Sequence, residues 1–168
     1  MEFVYKTAEV SALNEIIDIY RKAQKFMERN GNPQWGKGFP AKDDILGGIL
    51  GGCIFTVIAN GEVAAVFSVV DYDRDYDEID GKWLTEGNYL AVHRVAVAEK
   101  FRGQGAAKYV IKAASEIAHS RGRKSLRFDT HEKNIPMLTL LTSQGFAKCG
   151  TIRLLRDDTV RVAFEKTI

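Results

Sequence analysis

Residues 95–107, Val-Ala-Val-Ala-Glu-Lys-Phe-Arg-Gly-Gln-Gly-Ala-Ala, constrain this chain more than any other stretch. A β-branched strand runs into a turn carrying Arg102, Gly103, Gln104 and Gly105, and an alanine-rich helical run follows directly. A strand that enters a helix through a glycine turn creates an anion site, because the first-turn N–H groups and the macrodipole point the same way. Gly103 and Gly105 let the backbone approach a bulky diphosphate, while Ala106 and Ala107 keep side chains out of its path. Arg102 adds a fixed planar cation. The plain alternative is an ordinary strand–turn–helix connection with a convenient glycine pair.

Two familiar phosphate motifs do not fit. A P-loop needs Lys-Ser or Lys-Thr after its second glycine, where this chain has Ala106-Ala107. A dinucleotide fingerprint needs three glycines near the start of a βαβ unit, and here two glycines lie deep in the chain. With 168 residues, 45% hydrophobic and 27% charged, the chain reads as one domain, 1–168, with a core of its own. A net charge of +2 calls for no polyanion, so no nucleic acid is expected. No stretch has the length of a membrane span and no secretory leader is visible, so no membrane is expected either. Cys53 and Cys149 suggest no disulfide framework, which fits the cytoplasm. No metal-ligand cluster is evident, and no metal is expected.

Hydrophobic periodicity supplies the surroundings. Glu2–Ala8 reads as a strand. Leu13, Ile16, Ile17, Tyr20, Ala23 and Met27 keep helical spacing, closed by Asn30-Gly31. A short helix capped by Asp43 or Asp44 runs through Leu50. Cys53–Ala59 and Glu62–Val70 form a hairpin on Asn60-Gly61. An acidic, tyrosine-bearing loop from Asp71 to Gly81 precedes a fourth strand, Tyr89–Val97. A helix from about Gly105 to His119, a strand Lys124–Thr130 and a helix Ile135–Ser143 follow, and two strands, Ala147–Leu155 and Val160–Glu165, close the chain.

The Arg-x-x-Gly-x-Ala turn (Arg102, Gly105, Ala107) after His93-Arg-Val-Ala-Val97 resembles the pyrophosphate motif of the GNAT superfamily of acetyl-CoA-dependent N-acetyltransferases. Asn134 after the fifth strand, with Gly145-Phe146 beyond it, matches a second family spacing, and the element order agrees along nearly the whole chain. The resemblance implies an α/β (α+β) fold: a mixed, mostly antiparallel sheet flanked by helices, with splayed fourth and fifth strands. It implies an acyltransferase that moves acetyl from acetyl-CoA directly to a primary amine, a small molecule being favoured. Val95, Ala96 and Val97 would face the pantetheine arm, Arg102, Gly103, Gln104, Gly105, Ala106 and Ala107 the diphosphate, and Asn134 the coenzyme.

Among family patterns, His93 resembles the second of a pair of strand histidines, and Asp129 a catalytic glutamate. An unperturbed imidazole already titrates near neutrality, so the base role would ask little tuning of His93. Asp129 would need burial or a like charge, and pairing with Arg94 or Arg127 is its plain alternative. His131 is a third candidate. The family's usual proton-donating tyrosine is replaced by Leu141, which leaves Tyr89 or water as donors and keeps a non-catalytic acyl-CoA sensor open. Protein or peptide N-acetylation is the other alternative. Cys149 reads as a core residue. Trp35, Phe39 and Trp83 fall in loops that border the family's acceptor pocket. The acidic tract Asp71–Asp80 would favour a cationic amine there, with a solvated loop as its plain alternative. A homodimer is compatible with the class.

Overall fold

The computed structural model describes residues 1–168. The chain forms two compact units, one of Met1–Val69 and His93–Ala113, the other of Val70–Val92 and Ala114–Ile168.

The first unit contains β1 (Val4–Thr7), α1 (Leu13–Arg29), α2 (Lys42–Leu50), β2 (Ile54–Ala59) and most of β3 (Glu62–Val70). Antiparallel ladders join β1 to β2 and β2 to β3. Asn60 and Gly61 both take positive φ, 52° and 78°, as a two-residue type I′ hairpin turn requires. Along α1 the apolar stripe puts Ile16, Ile19, Tyr20 and Ala23 into the core. There they meet Ile45 and Ile49 of α2 together with Ile54, Val66 and Ala96. Each fully buried isoleucine contributes about 2 kcal/mol. The helix stops where Asn30 turns its amide onto the Phe26 carbonyl at 2.7 Å and Gly31 enters the left-handed region. Helix α2 begins two residues earlier than Asp43 capping would give. Ala41 is the N-cap and both aspartates lie in the first turn, where they still complement the helix dipole.

The second unit holds β4 (Asp80–Gly81), β6 (Ser125–Thr130), α4 (Ile135–Ser143), β7 (Ala147–Arg153) and β8 (Val160–Thr167). Strand β8 pairs antiparallel with both β6 and β7. Its core gathers Tyr76, Tyr89, Ala91, Ile152, Leu154 and Ala163. Strand β4 falls inside the stretch expected to be loop and pairs Gly81 with Gly150 of β7. A Cβ on Gly81 would stand 2.1 Å from the Cys149 carbonyl oxygen, and one on Gly150 2.1 Å from that of Asp80. Only a glycine facing a glycine lets these backbones meet.

Strand β5 (Tyr89–Val97) and helix α3 (Ala106–Ser120) contribute residues to both units. The strand order is β1-β2-β3-β5-β6-β8-β7-β4. Parallel pairing of β5 with β6 runs from Tyr89↔Ser125 to Ala91↔Arg127. No helix is long and apolar enough to cross a membrane.

Candidate active site

After β5 the chain makes a 3-10 turn over Glu99–Phe101, anchored by the buried Phe101 ring. Gly103 and Gly105 then take φ of 73° and 94° before α3 begins. A Cβ at Gly103 would meet nothing within 4 Å, so backbone conformation and not protein packing calls for glycine there. The first backbone bond of α3 runs from Tyr109 N to Gly105 O at 3.0 Å. The N–H groups of Ala106, Ala107 and Lys108 therefore stand outside the helical ladder and can receive an anion. Gln104 folds back to donate to the Lys100 carbonyl at 2.5 Å. Arg102 does not project freely: its guanidinium lies over the Phe26 ring, 4.3 Å from the centroid, with Glu99 at 3.8 Å. A fixed cation beside a glycine turn with unused amides fits a diphosphate.

On β5, His93 is half-buried and its carbonyl accepts a hydrogen bond from Ser68 Oγ at 3.2 Å. Its neighbour Arg94 takes φ of 53° inside the strand. The guanidinium of Arg94 lies over Phe39 at 5.4 Å. Two residues on, Ala96 joins the α1/α2 core. Phe39 and Trp35 come from the loop after α1 and pack together, with Trp35 edge-on to Tyr20 at 5.6 Å. Helix α1 itself pins that loop. Arg21 donates to the carbonyls of Phe39 and Pro40 at 3.2 and 2.8 Å, and Gln24 to that of Gly36 at 2.7 Å. The Tyr20 hydroxyl is fully buried without a hydrogen-bond partner. Burial drives its pKa far up, with the charge of Arg94 opposing the shift and Cys53 adding to it. Such an unsatisfied donor costs about 1–3 kcal/mol.

In the second unit Asp129 accepts a hydrogen bond from Tyr76 Oη at 2.7 Å. Burial first, then the Asp129 charge, push the Tyr76 phenol well above its ordinary range, so it stays a neutral donor. Tyr76 belongs to the acidic, tyrosine-bearing loop, and its pairing with Asp129 carries no periodic signal in the sequence. Arg127 pairs with Glu165 at 3.1 Å, not with Asp129. Its guanidinium is sandwiched between Trp83 at 4.1 Å and Tyr89 at 4.0 Å. Trp83 is thus a packing partner of Arg127, and its indole N–H donates to the Tyr76 carbonyl at 3.0 Å. The Tyr89 hydroxyl accepts from Asp73 N at 3.0 Å and donates to Asp73 O at 3.3 Å.

The acidic tract is largely engaged locally. Asp71 bridges Arg121 and Arg123, each at 3.1 Å. Asp73 accepts from Asp75 N, Asp75 from Leu155 N, and Asp77 from Tyr72. Asn134 caps α4 through Met137 N and donates to Thr130 Oγ1 at 3.0 Å. Leu141 is wholly buried. Burial, then the Arg161 charge, lower the pKa of His131, whose Nδ1 accepts from Lys133 N. Cys149 is buried, with its thiol pushed up mainly by burial.

A model of the acetyltransferase (GNAT) family matches residues 13–146, from the start of α1 through the glycine turn to the end of α4. The chain belongs to the GNAT family of acetyltransferases. It is 27% identical over 130 residues to the uncharacterised N-acetyltransferase YesJ of Bacillus subtilis (strain 168), covering 75% of this chain and 68% of that protein. A GNAT-family acetyltransferase structure from Streptococcus agalactiae 2603 superposes with a TM-score of 0.84 at 31% identity, covering 99% of this chain and 95% of that one. The fold is shared, at 13% identity and a TM-score of 0.75, with the PaiA N-acetyltransferase of Thermoplasma acidophilum, solved in complex with coenzyme A. That match covers both chains completely, 100% of each. The GNAT family members are acyltransferases, and this chain carries the family's α/β sheet.

Proposed function

We propose that this chain is one acetyltransferase domain that transfers acetyl from acetyl-CoA directly to a primary amine on a small molecule. The observation that carries this reading is the Gly103–Gly105 turn with the unused amides at the start of α3, set in a GNAT-family chain. The turn from Arg102 to Ala107 holds the diphosphate, and the backbone of Val95, Ala96 and Val97 holds the pantetheine arm. Asn134 is committed to its cap, so its role toward the coenzyme is to fix the start of α4. When bound, acetyl-CoA supplies a thioester carbon open to attack by an amine.

An amine attacks only as its free base, so the chain must take a proton from the ammonium form. His93 is the acceptor of that proton. Asp129, oriented by Tyr76, is the second candidate and is tested separately. Trp35 and Phe39 border the acceptor, while Trp83 acts through the Arg127 stack. Leu141 supplies no proton, so water protonates the departing thiolate.

Calorimetry with acetyl-CoA tests the reading. Wild type binds, and Gly105→Val removes binding, because a β-branched residue resists φ of 94° and its side chain would crowd the approach to the turn. A wild type that binds neither acetyl-CoA nor a longer acyl-CoA ends the acetyltransferase reading.

A further inference from the structure

Of the four non-glycine residues with positive φ, three are Asn60, Asn88 and Asp158, the types that tolerate it, and the fourth is Arg94. A long cation in a left-handed conformation inside a strand is held there by its surroundings, and such positions concentrate at working sites. Arg94 enters no ion pair and no side-chain hydrogen bond, and its guanidinium lies against the Phe39 ring. Half-buried beside an aromatic wall, it is a cation partly stripped of water and lacking an anion. A planar cation with parallel donors is complementary to an oxyanion, and the oxyanion most commonly borne by a small amine is a carboxylate.

We propose that Arg94 anchors a carboxylate on the acceptor, so that the acetylated amine is that of an amino acid with an apolar side chain. The proposal rests on the acetyl-transfer reading above and names its substrate class. Phe39, backed by the core residue Trp35 in a loop held on α1 by Arg21 and Gln24, forms the apolar wall against which the amino-acid side chain packs. Arg121 and Arg123 pair with Asp71, which takes one carboxylate out of the tract that favours a polyamine. The acceptor amine still arrives as a cation, but its recognition lies in the anion it carries.

Matched acceptors test this: leucine against isopentylamine, and phenylalanine against phenethylamine, each with acetyl-CoA and followed by thiol release. Wild type shows kcat/KM about tenfold or more higher for the carboxylate-bearing member, the range of a charge-assisted hydrogen bond. That ratio collapses toward one in Arg94→Met and partly returns in Arg94→Lys. Arg94→Asn, which suits the backbone, repeats the test should Arg94→Met fold poorly. Calorimetry with acetyl-CoA on every variant separates the two claims. No coenzyme binding by wild type ends the acetyl-transfer reading. Coenzyme binding with a ratio near one, or a ratio unchanged by loss of the guanidinium, overturns the carboxylate anchor alone. If no acceptor turns over, binding of leucine and phenylalanine to the CoA-saturated enzyme decides, and absence of binding overturns the anchor.

Discussion

Replacing Glu165 by glutamine should destabilise the second unit far more than the loss of one charge suggests. The carboxylate is completely buried, accepts four hydrogen bonds and pairs with Arg127. One oxygen takes the N–H groups of Leu84 and Thr85, at 2.6 and 3.3 Å. The other takes the hydroxyls of Thr85 and Ser125, at 2.5 and 2.6 Å, and the Arg127 guanidinium at 3.1 Å. A glutamine amide must turn its NH2 toward one of these groups. Facing the loop, it leaves two backbone N–H groups without an acceptor, at about 1–3 kcal/mol each. Facing the hydroxyls, it leaves Arg127 buried beside a donor, and breaking a buried pair from one side costs about 3–5 kcal/mol. Either way the loss is about 4 kcal/mol, or ~10 °C in Tm for a chain of this size.

Urea unfolding of Glu165→Gln, Arg127→Met and the double variant measures it. The double variant should be more stable than the sum of the single losses, because no lone charge remains. Burial alone would raise the Glu165 pKa, but bonds from Ser125 and Thr85 and the Arg127 charge overturn that and hold it below the usual glutamate range. Its contribution is therefore full above the ordinary glutamate value and fades as pH falls through the lowered folded value, a dependence that Glu165→Gln lacks. A loss under about 1 kcal/mol, or strict additivity in the double variant, would refute the reasoning.

Gly150→Ala should cost about 3 kcal/mol, since a Cβ 2.1 Å from the Asp80 carbonyl displaces β4, and thermal unfolding checks it. His93→Ala should cut turnover about 100-fold while acetyl-CoA affinity stays within about twofold, and the limb of the pH–rate profile owed to the imidazole should vanish. Calorimetric affinity falling as steeply as turnover would assign His93 to coenzyme binding instead. Tyr20→Phe removes an unsatisfied buried hydroxyl and should raise stability by about 1 kcal/mol in denaturant unfolding, with an unchanged m-value.

Several elements were legible without coordinates. Tyr89–Val97 forms where its β-branched, apolar run predicts a strand, and Ile135–Ser143 where the Asn134-Ile-Pro136 start predicts a helix. The Asn60-Gly61 hairpin and the glycine turn before α3 follow from local stereochemistry that needs no tertiary help. What escaped depends on contacts distant in sequence. Strand β4 exists because Gly81 meets Gly150, and no pattern within residues 71–81 encodes that partner. Likewise Arg127 had several carboxylates to choose from, and only the β6–β8 register, which sets Arg127 opposite Glu165, decides between them. Tyr76 read as a loop aromatic for the same reason: its acceptor, Asp129, lies far along the chain. The left-handed Arg94 carried no sequence signal at all, since arginine is not a residue that conformation selects.

On the proposal that Arg94 anchors the acceptor carboxylate, that last position sets fold stability and acceptor choice against each other. Judged by backbone energy alone, glycine or asparagine would suit φ of 53° better than arginine. A library of this enzyme sorted only for heat resistance should therefore drift toward Arg94→Gly or Arg94→Asn. Its survivors would melt later, still bind coenzyme, and no longer tell an amino acid from the amine it decarboxylates to. Sorting for discrimination should keep the arginine and accept the lower melting point, so the two selections would diverge at one codon.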